Sequence, residues 1–317
     1  MKKLKKKLYR IAPFFEERMW GGNRLRTEFG YVTEVDPIGE AYNVVALPNH
    51  ADCPVVGEDI TLSQLYHEKP EWFCCDTEEL PIRVNILDPA ADLSVQLHPG
   101  DEYAMKHDHS RGKPECWVIL DTPEDGYIEF GHHAKTREEF IQLAEKKDFE
   151  KLLKYLPAKK DWFIDIPAGT LHAIGKNVLT YNISRDADCT YRLYDYDRIN
   201  PKTGTPRDLH TQKVYDNVNI PDDTLGFVWF EPALENGCMV TRYWDEPGLY
   251  TLLRLQVEKE GSYEQNRFAF YTVVEGQGSI GGVPVKKGDT LFAPQGIGSL
   301  LLEGKLDVFV ATYRNAK

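Results

Sequence analysis

Leu93-Ser94-Val95-Gln96-Leu97-His98-Pro99 alternates apolar and polar residues. A β-strand turns successive side chains to opposite faces. Ser94, Gln96 and His98 therefore share one face, and Leu93, Val95 and Leu97 supply the other, the pattern of a half-buried strand. Two further stretches carry metal-binding side chains. Gly112-Lys113-Pro114-Glu115-Cys116-Trp117 runs into the apolar Val118-Ile119-Leu120, and Ile166-Pro167-Ala168-Gly169-Thr170-Leu171-His172-Ala173-Ile174-Gly175 delivers a second histidine. Strand periodicity lets the three stretches meet. Two imidazoles, a carboxylate and an amide oxygen make a mixed N/O set that suits zinc or a similar divalent ion with one position open. An open position points to chemistry more than to structure.

Outward from these stretches, short β-rich runs dominate: Tyr42–Leu47, Arg83–Leu87, Glu115–Leu120, Tyr127–Phe130, Trp162–Ile166, Val178–Ile183 and Thr190–Tyr194. Two helical patches interrupt them. One is Thr61–Tyr66. The other is expected from Thr136 to about Leu156, where Thr136 and Glu139 fit a capping box ahead of Phe140, Leu143, Leu152, Leu153 and Leu156. Residues 199–225, rich in Asn, Asp, Pro and Thr, read as a connection. Beyond residue 230 a second β unit holds Leu252–Val257, Phe268–Val274 and Leu306–Ala311. No histidine follows His210, so this unit is expected to be metal-free. The expected class is mainly β: a jelly-roll sandwich over residues 1–229 with a helical insertion near 136–156, then a smaller cupin-like unit over 230–317.

The 317 residues carry a net charge of −12, which argues against nucleic acid as a partner. The basic run Lys2, Lys3, Lys5, Lys6, Lys7 is too short to reverse this and reads as a solvated end. No run of 18 apolar residues occurs, so no membrane span is expected. No apolar segment follows the basic start, so a signal peptide is not expected either. Six cysteines without a C-x-x-C pair read as free thiols in a reducing cytoplasm. Cys116 lies beside a candidate ligand but on the opposite face, as a core residue.

The chain resembles the type I mannose-6-phosphate isomerases, in particular their short bacterial form. The resemblance rests on Pro13-Phe14-Phe15-Glu16-Glu17-Arg18-Met19-Trp20-Gly21-Gly22, Ile38-Gly39-Glu40, the three stretches above, and Asp188-Cys189-Thr190-Tyr191-Arg192-Leu193-Tyr194-Asp195-Tyr196-Asp197-Arg198, all in order. It implies a cupin-type jelly roll with Zn2+ as the sole cofactor, held by Gln96, His98, Glu115 and His172. It also implies that Arg192, Asp188, Lys113 and Glu40 are catalytic, and that the substrate is a small sugar phosphate. No phosphate loop of the G-x-x-x-x-G-K-[ST] type occurs, so no nucleotide is expected. A cytoplasmic monomer or homodimer is the expected form.

Three positions depart from the family pattern. Glu40-Ala41-Tyr42-Asn43 replaces Glu-Ser-Trp-Glu, Asn85 stands for a lysine, and Asn182 stands for a glutamate. The last two remove a cation and a candidate base. Aldose–ketose isomerisation needs a base near two adjacent carbons and positive charge where an oxyanion develops. Arg192 cannot lose its proton, so it suits charge stabilisation, and it is expected to orient, and be oriented by, Asp188. Ser94, Lys113 and Arg192 are the expected substrate contacts. Lys113 and Glu40 are the base candidates. Two other readings stay open: a related isomerase of changed substrate, and a metal-bearing sugar-binding protein without turnover. An iron oxygenase is disfavoured by the two-histidine set. His107 and His109 read as a surface loop near the mouth. His132 and His133 cannot chelate one ion from opposite strand faces.

Overall fold

The computed structural model describes residues 4–316. Lys2 and Lys3 lie outside them, while Lys5, Lys6 and Lys7 are described. Of these three, Lys7 reaches Glu58 at 3.5 Å.

Three large antiparallel sheets build the molecule, beside a two-stranded ribbon of Ala46–Leu47 and Ala51–Asp52. A six-stranded sheet runs in the order Phe163–Ile166, Glu115–Asp121, Leu179–Arg185, Ile82–Leu87, Ile38–Val44, Phe14–Gly22. A five-stranded sheet runs Leu153–Pro157, Tyr127–His132, His172–Ile174, Val95–Leu97, Tyr191–Tyr194. These two form the jelly roll. Between them Trp117, Ile119, Ile128, Phe130 and Ile164 make one core, and Val95 and Leu97, on the outer face of the five-stranded sheet, belong to the same apolar cluster. The other face of the six-stranded sheet carries Val84, Ile86, Cys116, Val118, Tyr181 and Ile183, which pack on Leu252, Phe270, Phe309 and Ala311 of the third sheet. Cys116 is thus a core residue, as the alternation requires.

The third sheet has nine strands and coils around its own apolar interior of Leu253, Leu255, Tyr271, Val273, Leu291, Val308 and Val310. Its longest strand, Ser299–Arg314, pairs with Leu249–Val257 on one side and Ala269–Ile280 on the other. Its first edge is Tyr9–Ile11, paired with Thr290–Phe292, so the start of the chain closes the C-terminal sheet. The mainly β, cupin-type class expected from the sequence is the class found. Among the described residues no helix is long and apolar enough to cross a membrane.

The helical expectations need revision. The helical patch expected at Thr61–Tyr66 is found as Leu62–Glu68, with Gln64 Oε1 accepting from the Thr61 N–H at 2.9 Å. The long helix from Thr136 instead breaks in two. Arg137–Glu145 is capped by the Thr136 hydroxyl, but the Glu139 carboxylate reaches the Lys135 N–H rather than that of Thr136. Lys147 turns the chain at φ +54°, Phe149–Leu152 adds one turn, and Leu153–Pro157 is a strand on Tyr127–His132. The Leu-rich run fits either period, and the free sheet edge decides in favour of pairing. Residues 199–225 also hold more than a connection. Thr211–Asn217 is a helix that buries Val214 and Tyr215 against the sandwich. Lys106, His107 and Asp108 are helical, in Asp101–Asp108, whose single buried residue, Ala104, leaves no apolar stripe to read.

Candidate active site

The pocket lies between the two sheets of the jelly roll. In the five-stranded sheet, His172 pairs with Gln96, and Gln96 pairs with Arg192. The three side chains form one row across neighbouring strands. Opposite them a second row crosses the six-stranded sheet: Tyr42 beside Asn85, Asn85 beside Asn182, Asn182 beside Trp117. All seven line a cavity of about 290 Å³. The two amides that depart from the family pattern are therefore cross-strand neighbours in the pocket wall.

Glu115 sits two residues before Trp117 and shares its face. His98, Glu115 and His172 bring one donor atom each to within 4.8 Å of one another, and all three are buried. Each imidazole is oriented by a carbonyl: His98 Nδ1 donates to Cys189 O at 2.8 Å, and His172 Nδ1 donates to Thr170 O at 2.9 Å. This leaves both Nε2 lone pairs turned inward. His172 Nε2 is buried without a hydrogen-bond partner. Gly169 makes the turn before His172 possible. Its φ is +83°, and a Cβ there would lie 2.6 Å from Asn217 O. Its N–H donates to the His98 carbonyl at 2.8 Å and ties the two histidine segments together.

The electrostatics favour ligation. Burial pushes the His98 and His172 imidazoles toward the neutral form, His172 to about 3. Burial would raise Glu115, but the Lys113 ammonium and the two imidazoles outweigh it and hold its carboxyl well below the usual range. Neutral imidazoles beside an ionised carboxylate are the protonation states a divalent cation needs. An orphaned inward-facing Nε2 is also the feature a ligand atom shows. The donor set therefore fits a metal ion. Gln96 shares the row, with its Oε1 accepting from Ser94 Oγ at 3.0 Å.

Glu115 is heavily engaged. It accepts from Lys113 Nζ at 2.7 Å, Trp117 Nε1 at 3.1 Å and Asn182 Nδ2 at 3.2 Å. Lys113 is thereby committed to an ion pair at the triad. Glu40 accepts from Arg18 Nε and from Asn85 Nδ2, both at 2.7 Å. Burial opposes its charge, yet Arg18 and then Lys113 prevail and keep it ionised. Gly39 permits this contact, because a Cβ there would sit 2.3 Å from Arg18 Cβ. Arg192 reaches the cavity with its Nε buried and unpartnered. The expected pairing of Asp188 with Arg192 is not found. Asp188 is exposed at the cavity mouth, and its carboxylate lies 3.8 Å from His50. The loop that carries it turns outward after Arg185, and among the described residues no carboxylate pairs with Arg192.

Sequence reasoning passed over Arg18, Trp117, Arg207 and His210, which all line the cavity. Arg18 and Trp20 alternate on the strand Phe14–Gly22, a signal that was present. Arg207 and His210 lie in the segment read as a connection and carried none.

Comparison with known proteins places this geometry. The family model described as phosphomannose isomerase type I, catalytic domain, matches residues 8–115. The mannose-6-phosphate isomerase ManA of Bacillus subtilis is 34% identical over 310 residues, covering 95% of this chain and 97% of that protein. The crystal structure of the mannose 6-phosphate isomerase from Bacillus subtilis superposes with a TM-score of 0.92 at 29% identity, over 96% of this chain and 99% of that one. A zinc-bound mannose 6-phosphate isomerase shares the fold at a TM-score of 0.79 and 14% identity, over 97% of this chain and 99% of that one.

Proposed function

The chain belongs to the type I phosphomannose isomerase family, and we propose that it interconverts mannose 6-phosphate and fructose 6-phosphate in the pocket between the two sheets of its jelly roll. The observation that carries this reading is the convergence of His98, Glu115 and His172, with an orphaned Nε2, in a cavity that also holds an unpaired guanidinium. We assign the metal as zinc, held by His98, Glu115 and His172 with Gln96 as the fourth donor. When bound it would polarise a sugar oxygen. The protein's own groups do the rest. Arg192 keeps its charge and stabilises the oxyanion of an enediolate. Glu40 is the buried pocket carboxylate outside the metal set, Asp188 being exposed at the mouth. Arg18 and Asn85 fix its orientation and keep it ionised, so it can take a proton from one sugar carbon and return it to the next. Lys113 holds Glu115 in place, Ser94 does the same for Gln96, and Asp188 screens the mouth. As organisation, we propose a catalytic unit over residues 1–229 and a supporting unit over 230–317, with Tyr9–Ile11 lent to the latter's sheet. A cytoplasmic location and a monomer or homodimer belong to the same proposal.

A coupled assay of mannose 6-phosphate turnover, with chelation and zinc add-back, tests it. Turnover that chelation removes and zinc restores is the expected result. No turnover by zinc-loaded protein sinks the reading. In that event Asn85 and Asn182 mark a different sugar, and a panel of sugar phosphates and free sugars is the next measurement.

A further inference from the structure

Charge is unevenly distributed along the pocket. At one end every cation is matched: Arg18 lies between Glu16 and Glu40, and Lys113 lies against Glu115. At the other end Arg192 has no carboxylate partner, and Arg207 shares Asp195 with Arg198. Three guanidinium groups there face one buried carboxylate, so an excess of positive charge remains. Burial and then the neighbouring Arg207 disfavour the charge on Arg192, and the more distant pull of Asp195 and Asp188 offsets them only in part.

The donors at this end are also unspent. Arg207 uses Nε and Nη2 on Asp195, at 2.8 and 2.6 Å, and its Nη1 has no acceptor among the described residues. His210 is locked to the Arg192 backbone. Its N–H donates to the Arg192 carbonyl at 2.8 Å, and its Nδ1 accepts the Arg192 N–H at 3.2 Å. An imidazole that accepts at Nδ1 carries its hydrogen at Nε2, which makes Nε2 a second free donor. Both residues come from the segment ahead of the helix Thr211–Asn217, and both line the cavity.

We propose that Arg207 and His210 form the subsite that takes the dianionic phosphate group of the substrate, with Arg192 between it and the metal donors. Forked guanidinium donors and an N–H around an unneutralised cationic end are the chemistry that recognises phosphate. The subsite also fixes polarity. With the phosphate at Arg207, the reacting carbons of the sugar lie toward His98, Glu115 and His172. This assignment rests on the sugar-phosphate reading above, and its test separates the two.

Inorganic phosphate serves as the probe, read as the rise in melting temperature of the full-length protein, beside the KM and kcat for mannose 6-phosphate. Loss of a hydrogen bond to a charged group predicts a KM raised roughly tenfold to a hundredfold in Arg207→Gln, with kcat little changed. The phosphate-induced stabilisation should also be lost. Lys202→Gln removes one positive charge from the same segment at the surface, where Lys202 pairs with Glu17, and should leave both readouts unchanged. His210→Gln, which leaves the Arg207–Asp195 pair intact, tests the subsite independently if Arg207→Gln does not fold, and a KM and phosphate response equal to wild type in it would then overturn the proposal. An Arg207→Gln protein that folds and keeps wild-type KM and phosphate response overturns it directly. Phosphate stabilisation that depends on Arg207, in a protein without turnover of mannose 6-phosphate, would uphold the subsite while defeating the isomerase reading.

Discussion

The two β rolls of this chain differ most in what they enclose. The C-terminal roll closes on Leu253, Leu255, Val273, Leu291, Val308 and Val310, among which the Tyr271 hydroxyl is buried without a partner. The N-terminal roll places Glu40, Asn85, His98, Lys113, Glu115, His172 and Asn182 inside, all buried. An apolar interior gains from every square ångström taken from water. A polar one must offset desolvation with partners, and a half-satisfied network is the costlier state. The N-terminal roll satisfies most of its network but leaves His172 Nε2, Arg192 Nε and the Asn85 and Asn182 carbonyl oxygens unpartnered. These four atoms belong to residues that line the cavity. The contrast teaches that this fold spends stability in one roll and recovers it in the other.

The severest way to break that contrast is Glu115→Ala. It strips the one carboxylate shared by Lys113, His98 and His172. Breaking a buried ion pair from one side costs about 3–5 kcal/mol. We expect that loss in chemical denaturation of the metal-free protein, no zinc retained after gel filtration, and no measurable turnover. Wild-type zinc content in the variant would remove Glu115 from the metal set. The counterpart in the other roll is Leu255→Ala. Leu255 is fully buried opposite Val308, and truncating such a leucine costs about 2–5 kcal/mol. Here kcat, measured well below the melting transition, should be unchanged. A comparable stability loss with the opposite functional outcome is what the comparison requires. A fall in kcat would mean that the C-terminal roll shapes the pocket through the shared core at Tyr181 and Phe309.

Much of this was legible in the sequence. Alternation at Leu93–Pro99 placed Gln96 and His98 on one face, and alternation at Glu115–Trp117 put Glu115 and Trp117 together against Cys116. The resemblance to the family then supplied the candidate ligand set. Period alone did not resolve Leu152–Leu156, where a helical turn and a strand edge compete for the same leucines. It was silent on Thr211–Asn217, because Val214 and Tyr215 make a stripe too short to show above a polar background. Arg207 and His210 are placed in the pocket by that helix, so their role was out of reach until the chain was folded. The Asp188–Arg192 pairing failed for a related reason. Four residues of separation say nothing about a loop that turns outward between them.

A middle-sized effect sharpens the comparison through pH. Glu129 lies on the outer face of the five-stranded sheet, buried under Tyr196, whose hydroxyl donates to Oε1 at 2.9 Å while Oε2 has no partner. Burial raises its carboxyl from 4.5 to about 7. The unfolded chain releases this proton near 4.5 and the folded protein near 7. Between those values the folded state therefore binds more protons, and stability falls as pH rises. Below the window the group costs nothing, and above it the loss is complete. Glu129→Gln cannot ionise and should flatten the slope, gaining up to about 3 kcal/mol over wild type at pH 8 and almost nothing at pH 4. Urea midpoints at the two pH values check this. Equal gains at both would show that the carboxyl titrates normally.

The smallest effect carries the sharpest version of the argument, because one chemical operation can be applied to both rolls. Tyr271→Phe removes the orphaned hydroxyl from the C-terminal interior and leaves the ring in place. A buried hydroxyl without a partner costs about 1–3 kcal/mol, so the variant should gain roughly 1 kcal/mol and keep wild-type kcat and KM. His172→Phe likewise removes an orphaned atom, Nε2, but also the Nδ1 hydrogen bond to Thr170 O. It should cost about 1 kcal/mol in the metal-free protein and abolish turnover. The two orphans look alike as unsatisfied buried atoms. One is an imperfection of packing and the other is a proposed metal donor, and only the activity of the paired variants separates them. If Tyr271→Phe destabilised the protein, its hydroxyl would have a partner in solution, and the C-terminal interior would not be the sealed apolar core that the comparison takes it to be.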